Sequence, residues 1–300
     1  MFNLKPDIQF INYFRLFNFV SLILILISVG FIFYKGLNFG VDFKGGTLIE
    51  LRVENTEIGI GDVRQSFIKM NLGDVNVKKF GKGNDYLIKF EQTDKNKENF
   101  IENIKTQLSK NLTGNFSFRR VENVGPKVSG ELLKSGLIAI VLSLSAMLIY
   151  IWIRFEWQFS LGAIIALIHD VIITIGFFSI LEFEINLSIV AAVLTIVGYS
   201  MNDTVVIFDR VRENLKKYSS KSINEISNLS INETLSRTII TSLTTLLALL
   251  SIFFFGGKIL HGFSFAMILG VIFGTYSSIF IANPILIKLK VDQKSVLKGE

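Results

Sequence analysis

No cysteine occurs in the 300 residues, which excludes disulfides, thiolate metal ligands and cysteine nucleophiles together. The only two histidines, His169 and His261, are too far apart to form a local metal motif. Three prolines leave most of the chain free to form regular structure. Neither a G-x-x-x-x-G-K-[ST] loop nor an H-E-x-x-H helix is present, so the sequence offers no ATP-binding or zinc-hydrolase motif. Charge is scarce as well. Charged residues are 19% of the chain, hydrophobic residues are 50%, and the mean hydropathy is +0.50. A water-soluble surface needs more charge than that.

What fills the chain instead is long apolar runs. A helix needs about 20 mostly apolar residues to cross a hydrocarbon core of roughly 30 Å. Six segments qualify, at 16–34, 132–153, 159–180, 187–208, 238–255 and 263–287. The first follows Lys5 and Arg15, as a signal peptide would, but its apolar run is too long and no A-x-A-like site follows. It reads as an uncleaved anchor.

Lysine and arginine set the orientation. With the N-terminus in the cytoplasm, the cytoplasmic loops carry Arg154, Arg210, Arg212, Lys216, Lys217, Lys221 and Arg237, and the tail adds Lys288, Lys290, Lys294 and Lys298. The opposite short loops hold Lys258 with Glu182 and Glu184. Both termini are therefore expected inside. The net charge of +6 then marks topology and contact with membrane lipids rather than nucleic-acid binding.

Between the first two spans lies a polar stretch. Residues 47–53, 74–80, 85–91 and 115–122 alternate as strands, while Val63, Phe67 and Met70, and then Phe100, Ile104 and Leu108, recur at helical spacing. Gly81-Lys82-Gly83-Asn84 reads as the turn of the central hairpin. The order β-α-β-β-α-β is the ferredoxin-like pattern. The expected fold class is thus a six-helix membrane bundle plus a small α+β extracytoplasmic domain. The parts are a cytoplasmic N-terminus and first span (1–36), a periplasmic domain (37–130), a five-helix bundle (131–287) and a cytoplasmic tail (288–300). Gly125-Pro126 joins the domain to the second span, as a hinge or as a plain linker.

Polar residues inside spans are costly, on the order of 2.5–3.5 kcal/mol for a charge at mid-bilayer. Asp203 falls within the fourth span, beside Asn202 and Ser200. Arg237 opens the fifth, with Thr241, Thr244 and Thr245 following on one helical face, which suggests a polar seam. His169 and Asp170 sit near the middle of the third. Such residues are candidates for a proton relay, set against ordinary packing pairs or, for Arg237, a snorkelling topology marker. The 209–214 stretch reads as a solvated amphipathic continuation of the fourth helix, and Gly270 and Gly274 form a G-x-x-x-G suited to close packing.

These residues resemble a known family. Gly40-Val41-Asp42-Phe43-Lys44-Gly45-Gly46-Thr47 is similar to the D-F-x-G-G motif of the SecD/SecF family, with Asp42, Gly45 and Gly46 as the matching positions. Val197-Gly198-Tyr199-Ser200-Met201-Asn202-Asp203-Thr204-Val205-Val206, with 208–214, resembles the fourth-span signature of its SecF branch. Residues 232–238 with Thr241-Ser242 resemble the entrance to the fifth span, and Val124-Gly125-Pro126 and Leu167-Ile168-His169-Asp170 also match. Met201 stands where a branched aliphatic residue is more usual.

The resemblance implies a non-enzymatic subunit of the resistance–nodulation–division superfamily in the bacterial inner membrane. It would be partnered by SecD, associated with the SecYEG channel and YajC, and would act on translocating preproteins. It implies no cofactor, with protons as the coupling ion, and it assigns proton passage to Asp203 and Arg237. The competing reading within the superfamily is a proton-driven small-molecule exporter. An intramembrane aspartyl protease is disfavoured because neither Y-D nor G-x-G-D surrounds Asp170 or Asp203. A passive scaffold for SecD is the third reading.

Overall fold

A computed structural model describes residues 8–54, 58–79, 84–91, 97–112, 115–218 and 220–293. They divide into two compact units, Met1–Asn38 with Leu137–Glu300, and Phe39–Gly136.

The second unit holds the sheet. Its elements are α2 (Val41–Lys44), β1 (Gly46–Val53), α3 (Ile60–Ile68), β2 (Val75–Lys79), β3 (Asp85–Phe90), α4 (Lys97–Asn111) and β4 (Phe116–Val124). The strands lie in the order β2-β3-β1-β4 and every pairing is antiparallel, so the β-α-β-β-α-β pattern folds as the alternation predicts. One sheet face is closed by the two long helices. Ile49, Leu51 and Val53 of β1 and Tyr86, Ile88 and Phe90 of β3 pack with Val63 and Phe67 of α3 and Ile104 and Leu108 of α4. The buried Tyr86 hydroxyl donates to the Ile58 carbonyl at 2.7 Å. Residues 80–83, which include most of the expected hairpin turn, lie outside the described residues.

The motif glycines have steric reasons. Gly45 and Gly46 take φ of +78° and +112°, where side chains are disfavoured. A Cβ on Gly46 would lie 2.7 Å from the Phe90 carbonyl oxygen. With Val41, Lys44, Lys89 and Pro126, both glycines line a cleft of about 410 Å³. Asp42 belongs to the short helix α2.

The other unit is helical. Its elements are α1 (Ile11–Lys35), most of α5 (Pro126–Arg154), α6 (Trp157–Ile180), α7 (Leu187–Lys217), α8 (Ile223–Phe255), α9 (Lys258–Ser277), a π-helical turn at Ser278–Ala282 and α10 (Asn283–Lys288). Among the described residues, six helical stretches are long and apolar enough to span a membrane, the last of them Leu260–Lys288. Three form the centre. The apolar windows of α6, α7 and Leu260–Lys288 are 56%, 50% and 61% buried, against 11% for α1, α5 and α8.

Small residues bring the central helices together. Gly270 and Gly274 of α9 lie against Ile196 and Ser200 of α7, and a Cβ on Gly274 would stand 2.9 Å from the Ser200 Cβ. The buried residues of α1 are Phe14, Ser21 and Ser28, one every seven positions; Ser28 faces Gly176 of α6 so closely that no Cβ fits there.

Several boundaries differ from the hydropathy reading. β4 ends at Val124 and α5 begins at Pro126, so Gly125 alone joins strand to helix. Proline suits the first helical position because its missing N–H has no intrahelical partner there. α8 starts at Ile223 rather than near residue 238, capped by Ser222 and Glu225 in a capping box. Its first turns bury Ser227, Asn228, Ser230 and Thr234, a polar inner face that hydropathy cannot recognise as packed helix. The 209–214 segment is not solely a solvated face. Val211 and Asn214 are buried, Asn214 Nδ2 donates to Ser230 Oγ and Glu233 Oε2 of α8 at 3.0 and 2.8 Å, and Arg210 Nε donates to Glu233 at 2.6 Å.

Candidate functional site

Two carboxylates are enclosed in the helical unit among the described residues, and α9 supplies a hydroxyl to each. Asp203 of α7 is 3% exposed. Its Oδ2 accepts from Ser242 Oγ of α8 and Thr275 Oγ1 of α9, each at 3.3 Å, and those hydroxyls lie 2.6 Å from one another. Asp170 of α6 is fully buried. Its Oδ2 accepts from Ser200 Oγ of α7 at 2.6 Å and Ser277 Oγ of α9 at 2.8 Å, and its Oδ1 lies 2.9 Å from His169 Nδ1.

An ionised carboxylate is acceptor-only, so the hydrogen between His169 and Asp170 sits on Nδ1 when Asp170 is charged. His169 Nε2 is buried with no hydrogen-bond partner among the described residues. The His169 ring stacks on Tyr276, with centroids 6.0 Å apart. The Tyr276 hydroxyl donates to the Phe17 carbonyl at 2.6 Å and accepts from Ser21 Oγ at 2.7 Å, which ties the cluster to α1.

The expected relay residues therefore fall into two groups that no hydrogen bond joins among the described residues. Arg237 belongs to neither. It is exposed on α8, five residues before Ser242, and makes no ion pair among the described residues. The threonine stripe that follows it does not meet Asp203. Thr241, Thr244 and Thr245 each return their hydroxyls to carbonyls of their own helix, and Thr244 is exposed. Asn202 is exposed too, on the outer face of α7, whereas Ser200 turns inward to Asp170.

Sequence reasoning missed the partners that matter most here, Thr275, Tyr276 and Ser277. Their signal was the polar string Gly274-Thr275-Tyr276-Ser277-Ser278 inside an apolar span. Immediately after it comes the π turn. Pro284 has no N–H to continue an α-helical ladder, and the neighbouring Asn283 Nδ2 donates to the Ser278 carbonyl at 2.8 Å. Ser227 Oγ of α8 lies 3.2 Å from Asn283 Oδ1.

The chain as a whole has known relatives. The family model for the protein export membrane protein SecD/SecF, C-terminal, matches residues 104–292, and that for the SecD/SecF GG motif matches residues 30–57. The chain belongs to the SecD/SecF family. Within it, proteins named Protein translocase subunit SecF are similar to this chain. One from Rickettsia bellii is 49% identical over 283 residues, covering 94% of this chain and 93% of its own. One from Rickettsia prowazekii is 46% identical over 302 residues, covering 99% and 96%.

Among solved structures, SecDF from Thermus thermophilus, a translocon-associated membrane protein, superposes with a TM-score of 0.86 at 34% identity. The match covers 97% of this chain and 40% of that longer polypeptide. A super-membrane-facing form of SecDF superposes with a TM-score of 0.70 at 33% identity, again covering 97% and 40%. This SecD/SecF chain is thus a multi-pass membrane protein and a translocase component of the SecF type.

Proposed function

We propose that this chain pairs with a SecD subunit and uses the proton-motive force to assist export of preproteins through the SecYEG channel, with protons as the coupling ion and no other cofactor. The site would lie in a bacterial inner membrane, with both termini cytoplasmic and residues 37–130 periplasmic. The observation that carries the reading is Asp203, a carboxylate enclosed within a spanning helix and held by two neutral hydroxyls rather than by a cation.

An ionised carboxylate in that setting needs a cation or water. Arg237, on the adjacent exposed face, is the cation within the same helix pair that a change in packing can bring to it. A proton from the high-potential side releases about 2.3 kcal/mol per 100 mV as it crosses. Binding at Asp203 uses that energy only if the bundle has two packings that differ in proton affinity. Gly125-Pro126, with its one-residue joint, is the proposed point at which a change in the bundle reaches the periplasmic domain.

The partner follows from what the spans leave uncovered. Thr195, Gly198 and Asn202 on α7 and Arg237 and Thr244 on α8 are exposed. Thr195 and Thr244 return their hydroxyls to their own helices, but lipid tails offer the Asn202 amide and the Arg237 guanidinium no partner. A second membrane subunit offers them one, and the Thermus SecDF, in which this chain matches only 40% of the polypeptide, supports SecD in that role.

Asp203→Asn, reconstituted with SecD and the channel in vesicles, is expected to insert and bind SecD normally while losing the proton-dependent part of export. Export at the native rate by that variant would remove the reading.

A further inference from the structure

Asp170 lies outside the role just proposed, yet it is the more deeply enclosed acid. The bonds on its two oxygens come from three helices: His169 on its own α6, Ser200 on α7 and Ser277 on α9. Asp203 sits on α7 and takes one of its two bonds from α9, the other from α8. Ser200 precedes it by three residues on α7, less than one turn, and its partner Thr275 precedes Ser277 by two residues on α9. Gly274, one residue before Thr275 on α9, packs directly on Ser200. At that contact α9 has no side chain to absorb a displacement, so movement of α9 along α7 alters both sets of hydroxyl bonds together.

We propose that Asp170 is a second proton-binding site, linked to Asp203 through the Ser200–Gly274–Ser277 contact, so that loading one carboxylate changes the proton affinity of the other. This rests on the reading of Asp203 as the coupling site. Linkage of this kind is reciprocal and commonly amounts to 5–150-fold. The titratable groups around Asp170 are His169 beside it, Tyr276 of α9 stacked on His169, and Asp203 on α7. α1 brings Ser21 to the Tyr276 hydroxyl, and α8, which reaches Asp203 through Ser242, carries Arg237. One hydrogen lies between His169 Nδ1 and Asp170 Oδ1 across 2.9 Å.

The test follows protonated-carboxyl stretching bands by infrared difference spectroscopy across pH, in the reconstituted complex with SecD. Asp203→Asn is expected to leave an Asp170 band whose midpoint moves by about one pH unit, a tenfold change. Asp170→Asn is expected to move the Asp203 band by the same amount. Ser277→Ala keeps both acids and removes one bridge; in that background the shift caused by Asp203→Asn should shrink to near nothing. It also serves if Asp170→Asn fails to fold. A remaining band that does not titrate, or midpoints that stay put in both variants, overturns the linkage. The export assay is separate, so normal export by Asp203→Asn would remove the coupling reading while the bands still decide whether the two sites are linked.

Discussion

Ser242 and Thr275, from neighbouring helices, approach to 2.6 Å over a single oxygen of Asp203 that lies 3.3 Å from each. Three contacts are drawn between two hydroxyls and one carboxylate, but two hydroxyls carry only two hydrogens. With Asp203 ionised, one contact lacks a hydrogen; a proton on the carboxylate supplies the third.

The triangle positions Asp203 among three helices, and thinning it should show in transport. Ser242→Ala removes one donor at a cost of roughly 1 kcal/mol and Thr275→Val the other. The double variant is expected to slow proton-driven export about tenfold, the rate equivalent of about 1.4 kcal/mol, with SecD binding retained. Export and co-purification from the same membranes check this.

Gly274→Ala tests the contact between α7 and α9. Its methyl would stand 2.9 Å from the Ser200 Cβ and 3.1 Å from the Ser200 Cα, so backbone must move. Overpacking of this kind costs about 1–3 kcal/mol. A lowered melting temperature and loss of export should appear together. Gly198, which has nothing within 4 Å of its Cβ position, provides the contrast. Gly198→Leu is expected to leave the melting temperature of this chain alone unchanged and to weaken its association with SecD, read by co-purification.

The parts of this structure that were legible in the sequence were those governed by one periodicity. The six spans followed from apolar length, and the sheet followed from alternation broken by two helical stretches. The first half of α8 was illegible because Ser227, Asn228, Ser230 and Thr234 pack against other helices rather than water, and hydropathy scores both situations alike. The site was half legible. A carboxylate such as Asp203 announces itself by its cost in a span. Its partners are serines and threonines, which spans tolerate freely, so only the packing of α7 on α9 shows which of them matter. The threonines after Arg237 had the right spacing and the wrong face, and Ser242, one position on from Thr241, was the one that turned inward.

In the sheet domain, Lys89 carries a pH signature. Burial first, then repulsion from Lys78 and Lys44, lowers its ammonium to about 8, with Glu122 opposing. Between pH 8 and the ordinary lysine value of 10.5, the unfolded chain binds a proton that the folded domain does not. Stability contributed by this group therefore rises with pH across that window, and the penalty is fully present below it. Lys89→Met should stabilise the domain at pH 7 by on the order of 1 kcal/mol, after allowing for the solvent that reaches the side chain, and should flatten the rise. Hydrogen exchange at β1 and β3 in the full chain measures both. An unchanged pH slope in the variant would contradict the assignment.

The π turn at Ser278–Ala282 is the last element with a functional consequence. A π turn holds one residue more than the α-helical turn it replaces, and one residue is 100° of helical rotation at 3.6 residues per turn. Thr275 and Ser277 on one side of the turn are thus aimed at Asp203 and Asp170 only while that extra residue is accommodated. Pro284 and the Asn283 amide, bonded to the Ser278 carbonyl, hold it. Asn283→Leu with Pro284→Ala restores an N–H and removes the side-chain bond, which lets the turn tighten to α. The expected outcome is nearly unchanged helix content by circular dichroism with proton-driven export lost, because the hydroxyls turn away from both carboxylates. Asn283→Ala alone leaves the proline in place and should retain part of the activity. Full activity in the double variant would mean that the aim of Thr275 and Ser277 does not depend on the turn.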